Sequence, residues 1–406
     1  MHKTTRLFVG DSFSSAKRMT PHHRAGASLG RFALLVSLIA GCSSVTADGG
    51  DEVRPVASTA GDASHTDRAP EAPSESLCTL AGPPPVTPGD VLVHGDDFSG
   101  SAVDPLKWNI ASGYRGHGTI LNTTSPDNAV VSQGFLSFVT RRNPADGIAR
   151  GGPNYPYVSA YVDSLGKFAR TYGKIEFRAR FPYVPGVWYA LWGRPWSQSF
   201  PEIDIEVLNV DSVGHSRLYF VNHWAAPPLP APERRTFRMM EDIDVSQFHV
   251  YTVNWRPGFL EWSVDGVAKM QADPRGIPDL PVFWILNGWV GGWAGDPTDR
   301  TPFPSTFEVD YVRVYRVDGL VGEPALRLVK PLARYTRTNT LEIAAANFDE
   351  SCAHVAMYDG DALVRTTSTA PFRFPLSMLA PGQHKLSFVA TDGVRRTSMT
   401  LDIQIH

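Results

Sequence analysis

Residues 200-FPEIDIEVLN-209 alternate acidic with apolar side chains: Glu202, Asp204 and Glu206 hold the even positions, Ile203, Ile205 and Val207 the odd ones. A period of two is that of a β-strand, whose successive side chains point to opposite faces. One face of this strand is therefore apolar and the other triply acidic. A solvated strand of a sandwich also carries polar residues on its outer face, but here no Lys or Arg relieves the crowding. Like charges on one face cost stability and raise carboxyl pKa values. Such a strand is expected where chemistry uses the charge.

Spacing sharpens that expectation. At a rise of about 3.3 Å per residue the backbones of Glu202 and Glu206 lie about 13 Å apart, and two inward-leaning Glu side chains remove several Å from each end. A carboxyl separation of about 5–5.5 Å suits double displacement at a glycosidic carbon, whereas single displacement needs room for a water. Asp204 lies within reach of both neighbours. It can share a proton with one of them and hold the two in different protonation states. The superficially similar 241-EDIDV-245 has Val245 where a third acid would stand, and reads as a solvated turn or edge.

The 406 residues include 35 Gly and 33 Pro, with 19% charged side chains, a composition that suits turn-rich β structure and disfavours helical bundles. A formal net charge of −3 gives no basic field for nucleic acid or an anionic membrane surface, so a neutral partner such as a polysaccharide fits better. From Val91 to Val317 short alternating runs, among them 173-GKIEFRARFP-182, 217-RLYFVNHW-224 and 249-HVYTVNWRPGFLEWSVDG-266, are separated by Gly, Pro, Asn and Asp. Many short strands with turn signals predict an all-β sandwich or barrel.

The flanks read differently. Basic residues through Arg31 precede the apolar run 32-FALLVSLIA-40, which is too short to span a bilayer and ends in small residues, as a secretory signal does. Met19 would give the more ordinary start. The segment 39-IAGC-42 resembles the bacterial lipobox, which implies a signal over residues 1–42 and lipidation of Cys42; Ser43 behind it resembles an outer-membrane address. Residues 43–90 are rich in Ala, Pro, Ser and Thr and read as a flexible tether. Cys78 and Cys352 form an even pair that could bridge in an oxidising envelope, and no CxxC or His/Cys cluster supports zinc. The texture changes after Gly319, which predicts that residues 91–318 fold and act alone. Residues 323–406 hold about seven short alternating runs, and through 354-HVAMYDGDAL-363 and 381-PGQHKLSFVATDG-393 resemble a bacterial immunoglobulin-like module with an accessory or structural role.

Taken in order, 97-DFSG-100, 104-DPLKW-108, 168-FARTYGKIEFRARFP-182, 185-PGVWYALW-192, 202-EIDIE-206, 248-FHVYTVNW-255, 287-NGWVGGWAGDP-297 and 309-VDYVRVY-315 resemble glycoside hydrolase family 16 across residues 91–318. The resemblance implies a concanavalin-like β-jelly roll with a cleft on its concave face, a retaining endo-β-glucanase activity, and no cofactor for the chemistry. It implies Glu202 as nucleophile, Glu206 as general acid/base and Asp204 as the helper between them. The motif is the short five-residue form, without the bulge of the laminarinase-like branch, and so resembles lichenases; 287-NGWVGGWAGDP-297 and 222-NHW-224 look more like laminarinase segments. The β-1,3 and β-1,3-1,4 linkages both remain open, as do a galactan such as agar or carrageenan, transglycosylation, and a non-catalytic lectin on the same architecture.

Sugars stack on flat aromatic faces while their hydroxyls need polar partners. Trp192 is placed by the resemblance on the cleft face. Cleft and core stay open for Trp188, Trp289 and Trp293, and Asn287 and His223 are candidates to meet sugar hydroxyls. Asp310 matches a position that binds a structural calcium in some family members. The chain is expected to act as a monomer, to touch membrane only through its lipid, and to sit at the bacterial outer membrane or cell surface.

Overall fold

A computed structural model of the chain describes residues 90–116, 119–143, 155–198, 200–225, 233–317, 322–348 and 353–406. Cys42, Cys78 and Cys352, the signal and all of the tether but Asp90 lie outside the described residues. Among those described, strands are joined by turns and short 3-10 segments, giving the expected all-β architecture.

Two sheets face each other, antiparallel but for the parallel pair Asn122–Thr124/Tyr157–Ser159 at one edge of the larger. The sheet that carries the acids has seven strands: β1 (Asn109–Ile110), β2 (Tyr161–Asp163), β3 (Val187–Pro195), β4 (Glu202–Asn209), β5 (Ser216–Ala225), β6 (Glu233–Met240) and β7 (Val282–Val290), in the spatial order β6-β5-β4-β3-β7-β2-β1. The ten-stranded partner is organised around Gly173–Arg180 and Ser305–Arg316, with the hairpin His249–Arg256/Phe259–Val264 on one side. This is one of the two all-β forms that the alternating runs predict, the sandwich, in the jelly-roll arrangement that the resemblance implies.

Alternation explains the core. Ile203, Ile205 and Val207 are buried between the sheets with Tyr189, Leu191, Phe220, Trp284 and Leu286, and the facing sheet adds Phe177, Tyr251, Trp255, Trp262 and Phe307. Each Ile, Val or Phe so buried contributes roughly 1.5–3 kcal/mol, which fixes the register of β4: a one-residue slip would drive the three acids into this core. Gly193 lets β3 lie close to β7, since a Cβ there would stand 2.7 Å from Val282 Cγ1 and 2.8 Å from Trp284.

A smaller sandwich follows, built from a three-stranded sheet, β8 (Ala325–Leu328), β9 (Thr340–Ala346) and Phe372–Pro375, and a four-stranded sheet spanning His354–Asp359 to Arg396–Ile405. Its core centres on Ile343, Val355, Met357, Phe374, Leu386 and Phe388. The two sandwiches share a packed junction: Ala344 and Ala346 of β9 lie with Ala169, Trp196, Phe283 and Ile285. Polar contacts lock the same place, where Asn347 Oδ1 accepts from Thr171 N at 2.9 Å and Asn347 Nδ2 donates to Thr171 Oγ1 at 3.1 Å. The composition break near Gly319 marks a change of sandwich, and the structure adds a dry contact across it.

Candidate active site

β4 lies in the middle of its sheet. It pairs with β5 from Glu202↔His223 to Asn209↔Ser216 and with β3 from Ile203↔Gly193 to Leu208↔Trp188, with no shift of register in either ladder. The five-residue acidic motif is thus a regular strand, as its short spacing predicts. Side-chain amides pin both ends: Asn222 Nδ2 donates to the Glu202 carbonyl at 2.9 Å, and Asn209 Nδ2 to the Val187 carbonyl at 2.9 Å. Glu202, Asp204 and Glu206 therefore project from one face, with Glu202 partly exposed and Asp204 and Glu206 only 3% and 7% exposed.

Burial with like neighbours raises all three titrations. Burial and the nearby Glu202 charge push the Glu206 carboxyl up to about 7, although His223 and Arg235 pull the other way. Asp204 is raised well above its ordinary value by burial and then by Glu202 and Glu206 on either side. Glu202 is raised by burial, but the His223 and Arg194 charges oppose that rise. Holding Glu206 at about 7 costs its charged form about 3 kcal/mol, which the burial of Ile203, Ile205 and Val207 on the opposite face outweighs. At neutral pH Glu206 is therefore poised to hold or release a proton.

His223 is built into this balance. Its Nδ1 and Glu233 Oε1 share a 2.6 Å hydrogen bond, and its Nε2 lies 3.7 Å from Asp204 Oδ2. Burial alone would lower the imidazole pKa, but the bond to Glu233 and the charges of Glu202 and Glu206 raise it. The protonated form of His223 is thereby favoured across from the acids.

The aromatic candidates sort by depth. Trp192 is half-buried, pairs with Asp204 across β3–β4, and its Nε1–H donates to Asn287 Oδ1 at 2.7 Å. Trp188 and Trp289 are nearly buried, with ring centroids 6.2 Å apart, among Ile120, Leu208 and Ala294. Trp293 is 49% exposed and tilts over Trp188 at 5.2 Å, with the His223 ring 6.3 Å away. A turn that needs glycine raises it there: Gly291 and Gly292 have φ of 83° and 61°. Trp188 and Trp289 thus lie buried in a small apolar cluster, and Trp293 stands open above Trp188.

Sequence reading missed Glu233 and Arg194. Glu233 reaches His223 only through the β5–β6 register, and Arg194 follows Gly193, whose partner Ile203 neighbours Glu202. Asp310 is paired with the Arg178 guanidinium, and among the described residues no group of three or more His, Cys, Asp or Glu side chains is placed to hold a metal ion. One carboxylate already paired with an arginine is little support for a calcium ion, which needs six to eight oxygens. The expected turn at 241–244 is present, with Glu241 bonded to Arg217 Nε at 2.6 Å.

Comparison with known proteins agrees with this fold. The family described as "Glycosyl hydrolases family 16" matches residues 121–313. A beta-glucanase of Rhodothermus marinus is 33% identical over 261 residues, covering 55% of this chain and 85% of that protein. Glucan endo-1,3-beta-glucosidase A1 of Niallia circulans is 29% identical over 272 residues, covering 57% of this chain but only 39% of the relative. Among solved structures, the catalytic domain of an endo-1,3-beta-glucanase (laminarinase) from Thermotoga petrophila superposes with a TM-score of 0.50 at 30% identity, covering 57% of this chain and all of that one.

Proposed function

We propose, from the premise that the chain belongs to family 16 of the glycosyl hydrolases, that it is an endo-acting, retaining β-glucanase for β-1,3- or β-1,3-1,4-glucan. The observation that carries the reading is the placing of Glu202, Asp204 and Glu206 on one face of the unbroken strand β4, with Glu206 held up to about 7 while Glu202 faces the His223 and Arg194 charges.

Glu206 enters protonated and gives its proton to the glycosidic oxygen as the Glu202 carboxylate attacks the anomeric carbon. The C–O bond to the departing sugar breaks, and a glycosyl ester of Glu202 with inverted configuration forms. Glu206, now ionised, takes a proton from water; the water oxygen attacks the same carbon, releases Glu202 and restores the β configuration. Asp204 forms no bond to sugar. Its position between the two acids lets it hold a proton while they exchange roles. Trp293 offers a stacking face, with Trp188, Trp289, Trp192, Asn287 and His223 completing the sugar-binding surface. Two carboxylates suffice for these steps, so no cofactor is required.

The flanks belong to the same reading. The 39-IAGC-42 motif supports a lipid on Cys42, with residues 43–90 as a tether holding an outer-membrane or cell-surface enzyme. The sandwich that begins near residue 323 is read as an immunoglobulin-like accessory module. Cys42→Ala would then move the protein from the membrane to the soluble fraction, since acyl chains supply most of the anchoring free energy.

Product analysis over lichenan, laminarin, xyloglucan, agarose and carrageenan tests the activity, with the anomer first released followed by proton NMR. Oligosaccharides of mixed length with β ends are expected from a β-glucan. No cleavage of either lichenan or laminarin, or an α anomer released first, would overturn the reading.

A further inference from the structure

Where the smaller sandwich meets the cleft edge, a cavity of about 200 Å³ opens between Arg194, Trp196, Phe283 and Arg327. Its two charged lining residues are both arginines. Arg194 lies at the end of β3, near enough to Glu202 to affect its titration, and its guanidinium covers the Phe283 ring at 5.6 Å. Its buried Nε has no hydrogen-bond partner. Arg327 comes from β8 of the other sandwich, is half-buried, and among the described residues makes no ion pair or side-chain hydrogen bond. Burial and the neighbouring Arg194 both press its pKa down, so the two cations feel each other.

Two guanidinium groups that converge on a cavity with no carboxylate in its lining repel one another, Glu202 and Asp163 being near Arg194 but outside that lining, and a neutral glucan adds no charge to relieve them. An anion does: each guanidinium offers a planar fork of donors matched to sulfate or carboxylate oxygens. At about 30 Å³ per water the cavity has room for roughly six waters, enough for such a group with part of its sugar. We propose that Arg194 and Arg327 form an anion subsite at the edge of the cleft, which takes a sulfate or carboxylate substituent carried by the polysaccharide. This rests on the reading of the cleft as a polysaccharide site. It makes the accessory sandwich a contributor to substrate choice, because Arg327 is present only where β8 docks.

The test compares one β-glucan with its lightly sulfated and carboxymethylated derivatives, using the full chain, with kcat/KM and calorimetric affinity both read, and inorganic sulfate titrated separately. Wild type is expected to favour at least one derivative over the parent. Arg327→Gln should cut that preference about tenfold, the scale of one charge-assisted hydrogen bond, while the parent is cleaved within about twofold of wild type. Arg327→Lys should keep part of the preference, and added salt should weaken it. Which derivative is favoured identifies the substituent. No preference in wild type, a preference that survives Arg327→Gln, an equal loss on parent and derivative, or binding of free sulfate alone would each overturn the subsite. Failure to cleave the parent would instead count against the glucanase reading, and the calorimetric comparison of parent with derivatives would still decide the subsite.

Discussion

His223 stands directly across from Glu202 in the pairing of β4 with β5, and its Nδ1 is held by Glu233 at 2.6 Å. Its charge lowers the titrations of both Glu202 and Glu206. Removing it should raise both. Because Glu202 must be ionised and Glu206 protonated, the acidic and alkaline limbs of kcat/KM should both move to higher pH in His223→Gln. A profile that only drops in height, with neither limb displaced, would refute this role.

The same burial makes a prediction about stability. Glu206 has an ordinary value of 4.5 and about 7 in the fold, so the folded state holds the proton more tightly. Its favourable contribution is complete below pH 4.5 and is lost as pH rises through 7, by up to about 3 kcal/mol. Glu206→Gln should therefore be more stable than wild type at pH 8 and close to it at pH 4. Urea denaturation at the two pH values reads the difference, and equal gains at both would show that the carboxyl is not displaced.

The tryptophans should separate into buried and open. Trp188→Ala removes a ring that is 4% exposed and should cost about 3–5 kcal/mol of unfolding free energy. Trp293→Ala removes one that is 49% exposed; it should change stability by less than about 0.5 kcal/mol yet raise KM about tenfold, since a stacked aromatic contact is worth about 1 kcal/mol or more. Thermal unfolding and steady-state kinetics on the same two variants check the split. A stability loss in Trp293→Ala with unchanged KM would reverse the assignment.

How far these features could be read beforehand depends on their range. The acid face of β4 was legible because a period of two is local, and the alternating run 249–266 was legible as paired strands for the same reason. Depth was not legible: Trp188 and Trp192 share parity, yet one is buried beneath Trp293 and the other is half-open beside Asn287. Cross-strand partners were hidden for the same reason, since Glu233 meets His223, and Arg178 meets Asp310, only once sheet register is known. The junction is the longest-range case. A composition break near Gly319 marks where texture changes, but nothing local says that Asn347 will bond Thr171.

That junction makes the second sandwich matter for folding of the first. Truncation after residue 317 would expose Trp196, Phe283 and Ile285, which lie against Ala344 and Ala346. At roughly 1.5–3 kcal/mol for each large side chain, reduced where the new surface relaxes, the shortened chain should lose several kcal/mol and melt several degrees lower. Calorimetry of the full and shortened chains reads this. An unchanged melting temperature with full activity on β-glucan would establish the self-sufficient 91–318 unit that the sequence predicts.

The roles of the three acids are separable by what replaces them. In Glu202→Ala the nucleophile is gone, so cleavage of polysaccharide should be abolished, while azide can enter the vacated space, attack an activated β-glycoside and leave the α-azide. In Glu206→Ala the nucleophile remains, so a substrate whose leaving group needs no proton should still form the ester of Glu202, which then hydrolyses slowly for want of a base. Azide needs no base to attack that ester, and displacing Glu202 gives the β-azide. Asp204→Asn should lower activity and shift its pH dependence without abolishing it, because Asp204 lies buried between Glu202 and Glu206, both of which raise its titration. The anomeric configuration of each azide, read by NMR, carries the test. One common anomer from both Glu variants, or full polysaccharide cleavage by either, would make the division of labour along β4 wrong.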